Sequence, residues 1–423
     1  MEKMSGGKEL QQTLESKDHT IRLIEALYAR SRKNGLILNP DFLDDEKLPE
    51  EERTAVLKEI FNRRIREKQL ERIAKHLMPI LDGGHPPAAL VYGPTGSGKT
   101  VSLLHLLSSL EKVCERRGVP FNYFYVDFTS PRTYFGALNE VALALDSGGR
   151  RYRKGIPIEY MQASIIEGMD RYRGTVCLLI DEADNVRPNA DSLLTFLGKT
   201  LPRKVSCRVI LIMLTNRLDW EKALDPRILS FLKKTDFIFE PYNALDLYEI
   251  LALRVEKALD KSKVEEGALR RIAAYASRET GDARKAVELL FKAAKVAAET
   301  SGQLTLTEVE IAAETLEVDK TEELIRALAA HQKLTLIACY AALSTGRRRV
   351  GTGQVYDVYE GLCHRQQTKP LTQRRVSDMI NFLDLYGLIN APVVSRGRYG
   401  QTREIAAALP RETVDRLLNK SSG

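Results

Sequence analysis

Gly93-Pro94-Thr95-Gly96-Ser97-Gly98-Lys99-Thr100 fills every fixed position of the phosphate-binding loop G-x-x-x-x-G-K-[ST]. The apolar run Ala88–Tyr92 before it reads as a strand, and Thr100–Leu110 after it as a helix. In that setting the glycines let backbone N–H groups wrap phosphates, and the first residues of the helix, through Val101, add a favourable field. Lys99 would reach the outer phosphates of a nucleoside triphosphate, and the Thr100 hydroxyl is suited to Mg²⁺. A second apolar run, Val176–Ile180, ends in Asp181 and Glu182. Asp181 would hold Mg²⁺ through water, and Glu182 would orient and polarise the attacking water of an in-line phosphoryl transfer. A third run, Val209–Leu214, ends at Thr215-Asn216. If its strand lies between the other two, Asn216 stands beside the γ-phosphate and can bind the lytic water; otherwise it forms a plain strand-end turn. Finally, Gly281-Asp282-Ala283-Arg284 opens a helix with a cation, Arg284, in its first turn, placed to bridge a helical lid onto the outer phosphates.

These side chains need a parallel sheet to bring them together. Short apolar runs (Phe121–Phe128, Thr175–Ile180, Arg208–Leu214) alternate with helical patterns such as Tyr134–Leu145, which predicts an α/β domain with helices on both faces. Upstream, a helix from about Glu51 through Leu77 is interrupted near Arg63 to Arg66. Beyond Pro241 the strands stop and four helices follow, Ala244–Ala258, Glu265–Ser277, Gly281–Ala298 and Thr307–Leu316. The expected divisions are a flexible tail over 1–20, a base domain with its N-terminal arm over 21–240, a helical lid over 241–320 and a third domain over 321–423. No apolar stretch approaches the ~18 residues of a membrane helix, and the N-terminus lacks a secretory apolar core, so a cytoplasmic, nucleoid-associated protein is expected. The five cysteines lack C-x-x-C spacing and mostly fall in apolar segments, which favours buried thiols over zinc or disulfides.

Net charge is +7, and from Ala341 onward 13 Lys and Arg face 7 Asp and Glu, so the excess concentrates in the last fifth of the chain. A basic C-terminal module facing a polyanion follows. Gly353–Cys363 and Thr372–Tyr386 read as two helices, the second with Val376, Met379, Ile380, Leu383 and Leu385 inward and Gln373, Arg374, Ser377 and Asp378 outward. Thr372 is placed to cap it. The first turn, Thr372, Gln373, Arg374 and Arg375, suits a major groove. Two strand-like runs, Ala391–Ser395 and Thr402–Ala406, flank a basic tip with Arg396, Arg398 and Tyr399, and Arg403 follows. Such a wing suits a minor groove, although a lone basic tip is ordinarily only a solvated loop. Arg347-Arg348-Arg349 reads more readily as solvated charge than as a DNA contact.

In this order the pieces resemble the AAA+ ATPase class and, within it, the archaeal origin-recognition initiators. The specific marks are Asn39-Pro-Asp41, Arg66-Glu-Lys-Gln-Leu70, the phosphate loop, Asp181-Glu-Ala-Asp184, Asp225-Pro-Arg227, Pro241-Tyr-Asn243, the Gly281-Asp-Ala-Arg284 turn and Pro370-Leu-Thr-Gln-Arg-Arg-Val-Ser-Asp378. The resemblance implies an AAA+ P-loop domain, an α-helical lid and a C-terminal winged helix. It also implies an adenine pocket near Ile65, Arg66 and Gln69, closed by Tyr242 and Arg254. It makes Asn216 and Arg284 the strand and lid sensors, and Arg227 an arginine offered to a neighbour's nucleotide; Arg227 reads equally well as a surface ion pair. Arg150, Arg151 and Arg153 fall where that family carries a DNA-touching insertion, or in a solvated loop. The function implied is an ATP-binding initiator of DNA replication that recognises double-stranded origin DNA, hydrolyses ATP slowly as a switch, and recruits a replicative helicase or its loader, with paralogous initiators as candidate partners. A winged-helix transcription regulator and a clamp-loader or helicase-type enzyme stay open as alternatives.

Overall fold

The computed structural model describes residues 35–44, 47–130, 133–145, 155–186, 190–344, 348–395, 401–410 and 414. The tail over 1–20, the helical pattern from Ile21, and Arg150, Arg151, Arg153, Arg347, Arg396, Arg398 and Tyr399 lie outside the described residues. Two compact units divide at Ala312 and Ala313.

In the first unit, α1 (Glu50–Asn62) and α2 (Glu67–Leu77) meet at a break where Arg64 and Arg66 take left-handed backbone conformations. The sheet comprises β1 (Ala89–Tyr92), β2 (Phe121–Asp127), β3 (Thr175–Asp181), β4 (Arg208–Thr215) and β5 (Thr235–Ile238), all parallel, in the order β2-β3-β4-β1-β5. Its central strands read as unbroken apolar runs because both faces are covered. Leu90, Leu178 and Met213 pack on one face beneath α4 (Tyr134–Leu145), α5 (Ile158–Asp170), α6 (Ala190–Thr195) and α7 (Pro226–Leu232). Val91, Cys177 and Ile212 pack on the other beneath α2 and α3 (Lys99–Arg117). Strand β5 and helices α5, α6 and α7 are additions to the sequence reading. β5 is an edge strand with only Phe237 buried, so it shows no apolar run. The lid is α8 (Ala244–Ala258), α9 (Glu266–Glu279) and α10 (Ala283–Glu299), followed by α11 (Leu306–Ala327). α11 continues well past Leu316, since no Pro or Gly lies between Leu306 and Ala327 to stop it.

The second unit holds α12 (Ala330–Leu343), β6 (Val350–Gly351), α13 (Thr352–Arg365), α14 (Gln373–Leu385), β7 (Ile389–Asn390), β8 (Val393–Ser395) and β9 (Gln401–Ala407). β9 pairs antiparallel with β6, β7 and β8, and with the three helices this makes a winged helix. Val355, Tyr359, Cys363, Val376, Ile380 and Leu383 form its core. Two details of the sequence reading are corrected. Leu385 is 81% exposed, because the last turn of α14 rotates it off the stripe and Leu388 enters the core beyond it. Thr372 takes the extended N-cap backbone, but its side chain makes no capping hydrogen bond. All five cysteines are free and buried.

Candidate nucleotide site and nucleic-acid face

Strand β4 lies between β3 and β1, so the loops at the C-terminal ends of these three strands sit side by side. This is the crevice where open α/β sheets hold ligands. Lys99 is buried, and its ammonium donates to Gly93 O at 2.7 Å, Pro94 O at 3.0 Å and Asn216 Oδ1 at 2.7 Å. Asn216 Nδ2 donates to Glu182 Oε1 at 2.6 Å. Thr100 Oγ1 donates to Asp181 Oδ2 at 2.6 Å, and Tyr125 OH donates to the same oxygen at 3.2 Å. Buried Asp184 accepts from Thr215 Oγ1 at 2.7 Å, tying β4 to the residues after β3. One polar circuit therefore spans the phosphate loop, both carboxylates and the strand-end asparagine.

Burial pulls the Lys99 ammonium below its usual range; Asp181 and Glu182 oppose this, and the charge of Arg284 adds to it. Burial lifts the Glu182 carboxyl above the ordinary carboxylate range; the Asn216 hydrogen bond opposes this, while Asp181 and Asp184 reinforce it. Glu182 also stands in the left-handed backbone region, a strained setting common at functional sites.

The lid and hinge press on this loop. A side-chain carbon at Gly96 would meet Asp282 Oδ1 at 1.7 Å, and one at Gly98 would meet the Tyr242 hydroxyl at 2.1 Å, so only glycine permits these approaches. Ala283 N donates to Gly96 O at 3.3 Å, and Asp282 caps α10 by accepting from Arg284 N at 2.8 Å. Arg284 itself is exposed on that first turn. Arg66 is buried with its guanidinium 3.8 Å from the centre of the Tyr242 ring, donating to Ser97 O at 2.8 Å and Glu240 O at 2.6 Å. Ile65 is buried beside it, whereas Arg254 is buried and donates to Phe42 O at 3.0 Å. Arg227 has a side chain 92% exposed at the start of α7, with Asp225 Oδ1 3.8 Å from its Nε.

Two observations fit a Mg²⁺–nucleotide. Arg66 Nε and Ser97 Oγ are buried polar atoms with no hydrogen-bond partner between the phosphate loop and the hinge. Thr100 and Asp181 offer hard oxygen donors, the kind Mg²⁺ takes alongside substrate phosphates. Among the described residues no group of three or more His, Cys, Asp or Glu side chains could hold a metal alone. Tyr125 was not foreseen from sequence, nor was the bond between Thr215 and Asp184, although both of these stand in motifs that the sequence marks. Tyr125 reads there as one aromatic in an apolar strand, and only the β2–β3 register brings it diagonally to Asp181.

In the second unit Thr372, Gln373, Arg374 and Arg375 are all exposed. Thr352, Gln373, Arg374, Ser377, Thr402 and Arg403 line a groove of about 480 Å³. Arg403 is engaged within the hairpin, donating to Ala391 O at 2.6 Å and standing 3.6 Å from Asp384 Oδ2. Arg349 pairs with Glu404 at 2.9 Å.

Family models described as AAA domain, Cdc6 AAA+ ATPase-type lid domain, and CDC6, C terminal winged helix domain match residues 82–220, 248–314 and 323–416. The chain is 37% identical to an ORC1-type DNA replication protein of Pyrococcus abyssi over 80% of its own length and 82% of the relative's. It is 35% identical to one of Pyrococcus furiosus over 92% and 91%. Among solved structures, the Aeropyrum pernix Orc1 protein in complex with DNA matches with a TM-score of 0.70 at 31% identity, covering 91% of this chain and 97% of that one.

Proposed function

Because the chain belongs to the ORC1-type DNA replication protein family, we propose that it is a replication initiator that binds ATP or ADP with Mg²⁺ in its base domain and origin duplex DNA through its winged helix. One chain holds both the circuit from Lys99 through Asn216 to Glu182, beside Thr100 and Asp181, and a helix whose first turn faces solvent over a groove; this pairing carries the proposal.

Lys99 binds and neutralises outer phosphates, exchanging its carbonyl partners for them. Thr100 and Asp181 would hold the metal, which would offset charge developing on the transferred phosphoryl group. Asn216 keeps Glu182 beside Lys99, and Glu182 takes the proton of the attacking water. Arg284 carries the state of the phosphates into the lid through α10. Turnover is slow because Arg227 stands exposed, away from the chain's own circuit, and acts when a neighbouring copy brings a nucleotide to it. Nucleotide state then governs recruitment of a replicative helicase or its loader. The protein works in the cytoplasm, associated with the nucleoid; no helix among the described residues is long and apolar enough to cross a membrane. The domain limits proposed are 21–240 for the base domain with its arm, 241–320 for the lid and 321–423 for the winged helix. In the second unit Gln373 and Arg374 read base edges, with Thr372 and Arg375 on the flanking phosphates. The wing tip (Arg396, Arg398, Tyr399) and the insertion (Arg150, Arg151, Arg153) complete the proposed DNA surface.

A genomic footprint with ATP and with ADP at near-physiological salt tests the reading. Protection at one or a few intergenic sites, changing with nucleotide, is expected. Protection at many promoters would favour a transcription regulator, and uniform weak protection a sequence-blind enzyme. Lys99→Ala should abolish ATP binding in a titration with fluorescent nucleotide; unchanged affinity would refute the assignment of the phosphate loop.

A further inference from the structure

Three loops meet at the N-terminal edge of the parallel sheet, the edge opposite the phosphate loop. Residues 115–120, beginning with the last turn of α3, lead into β2; 170–174, from the end of α5, lead into β3; and 203–208 run into the first residue of β4. They are locked together: Thr175 N donates to Pro120 O at 3.0 Å, Arg208 N to Gly174 O at 2.8 Å, and Ser206 N to Asp170 Oδ1 at 2.8 Å. A side-chain carbon at Gly174 would lie 2.1 Å from Pro120 O, so this glycine lets the first two loops close on each other.

The charges of these loops are predominantly positive. Arg116 and Arg117 lie in the first, Arg171 and Arg173 in the second, and Arg203, Lys204 and Arg208 in the third, against only Glu115 and Asp170. That local excess of five is comparable with the +7 of the whole chain, most of which falls after Ala341. All seven cations are exposed, and none makes a side-chain hydrogen bond or ion pair among the described residues. Several cations elsewhere in the same unit are paired: Arg63 bridges Glu249 and Glu256, Lys257 meets Glu59, and Arg271 meets Glu310. Like charges crowded without counter-ions repel one another, and an external polyanion relieves that repulsion.

We propose that this edge is a second nucleic-acid surface, which takes the sugar-phosphate backbone of duplex DNA without reading its sequence. Strands about 4.8 Å apart put the loops before β2, β3 and β4 across roughly 10 Å, a span that faces about three phosphates at 3.4 Å of axial rise each. Guanidinium groups pair with phosphate oxygens through two parallel hydrogen bonds, and six of the seven cations are arginines. None of the large exposed apolar side chains falls in the three loops, which favours a nucleic acid over a lipid surface. The surface is built from residues of the first unit and shares none with the winged-helix groove or with the nucleotide circuit.

The full chain carrying Arg173→Ala, Arg203→Ala and Lys204→Ala tests this against a long duplex of random sequence at graded salt. The slope of log affinity against log salt should flatten by up to about 2.7, at about 0.9 per lost phosphate contact, with nucleotide affinity unchanged. Arg173→Lys with Arg203→Lys keeps the charges and should retain most of the slope, so an equal loss there would mean that altered folding, not lost charge, is responsible, and would overturn the proposal. An unchanged slope in the alanine variant also overturns it, as does a defect confined to binding of phosphatidylserine vesicles. Arg374→Ala, measured in parallel, should cost sequence preference instead, so failure of the winged-helix reading is seen separately.

Discussion

Asp181 Oδ2 accepts two hydroxyls, Thr100 at 2.6 Å and Tyr125 at 3.2 Å, and the second holds the carboxylate from the neighbouring strand. Removing one hydrogen bond to a charged acceptor at a half-exposed position costs about 1 kcal/mol, roughly fivefold in affinity. Tyr125→Phe should weaken nucleotide binding by that factor with Mg²⁺ present and leave it unchanged in a chelator, as read by fluorescent-nucleotide titration. An equal loss in both conditions would assign Tyr125 to packing alone. The loop residues, Asp181, Glu182 and Asn216 were legible because phosphate chemistry restricts which residue types can stand there. Tyr125 was not, because an aromatic in an apolar strand looks the same whether it fills a core or reaches a carboxylate.

Helices α1 and α3 meet through Phe61 stacked on His105, ring centres 4.4 Å apart. Burial, then the charges of Lys112 and Lys58, pull the His105 imidazole below its usual value of 6.5. The unfolded chain therefore binds this proton first, so stability is lost as pH falls through 6.5 and on through the lower folded-state value. His105→Gln should flatten that part of a plot of melting temperature against pH between 7.5 and 5. In the wing, Arg403 was expected at DNA, yet it fastens β9 to Ala391 O and faces Asp384. Arg403→Ala should therefore destabilise the second unit by about 1 kcal/mol, seen in its melting without DNA; melting identical to the parent would return Arg403 to the DNA face alone. Element positions were mostly legible from apolar periodicity. The exceptions have local causes: β5 buries a single residue, and α11 carries charge evenly enough to hide its length.

For the molecule as a whole, the role proposed for the exposed Arg227 would tie turnover to assembly, since fingers supplied in trans raise rates by about 10³ to 10⁵. ATP turnover per chain on DNA should rise with protein concentration, and Arg227→Ala should abolish the rise while preserving ATP affinity; a rate per chain independent of concentration would leave Arg227 a surface residue. The sequence by itself determined the fold class, the phosphate loop, the two carboxylates and the winged helix, because each is a local pattern of residue type and spacing. Tertiary structure alone decided that β4 lies between β1 and β3, which is what lets Asn216 join Lys99 to Glu182. It also decided that Tyr242 and Asp282 close on Gly98 and Gly96, and that three basic loops share one edge. Strand order and register are set by packing between segments far apart in the chain, and no local spacing records them.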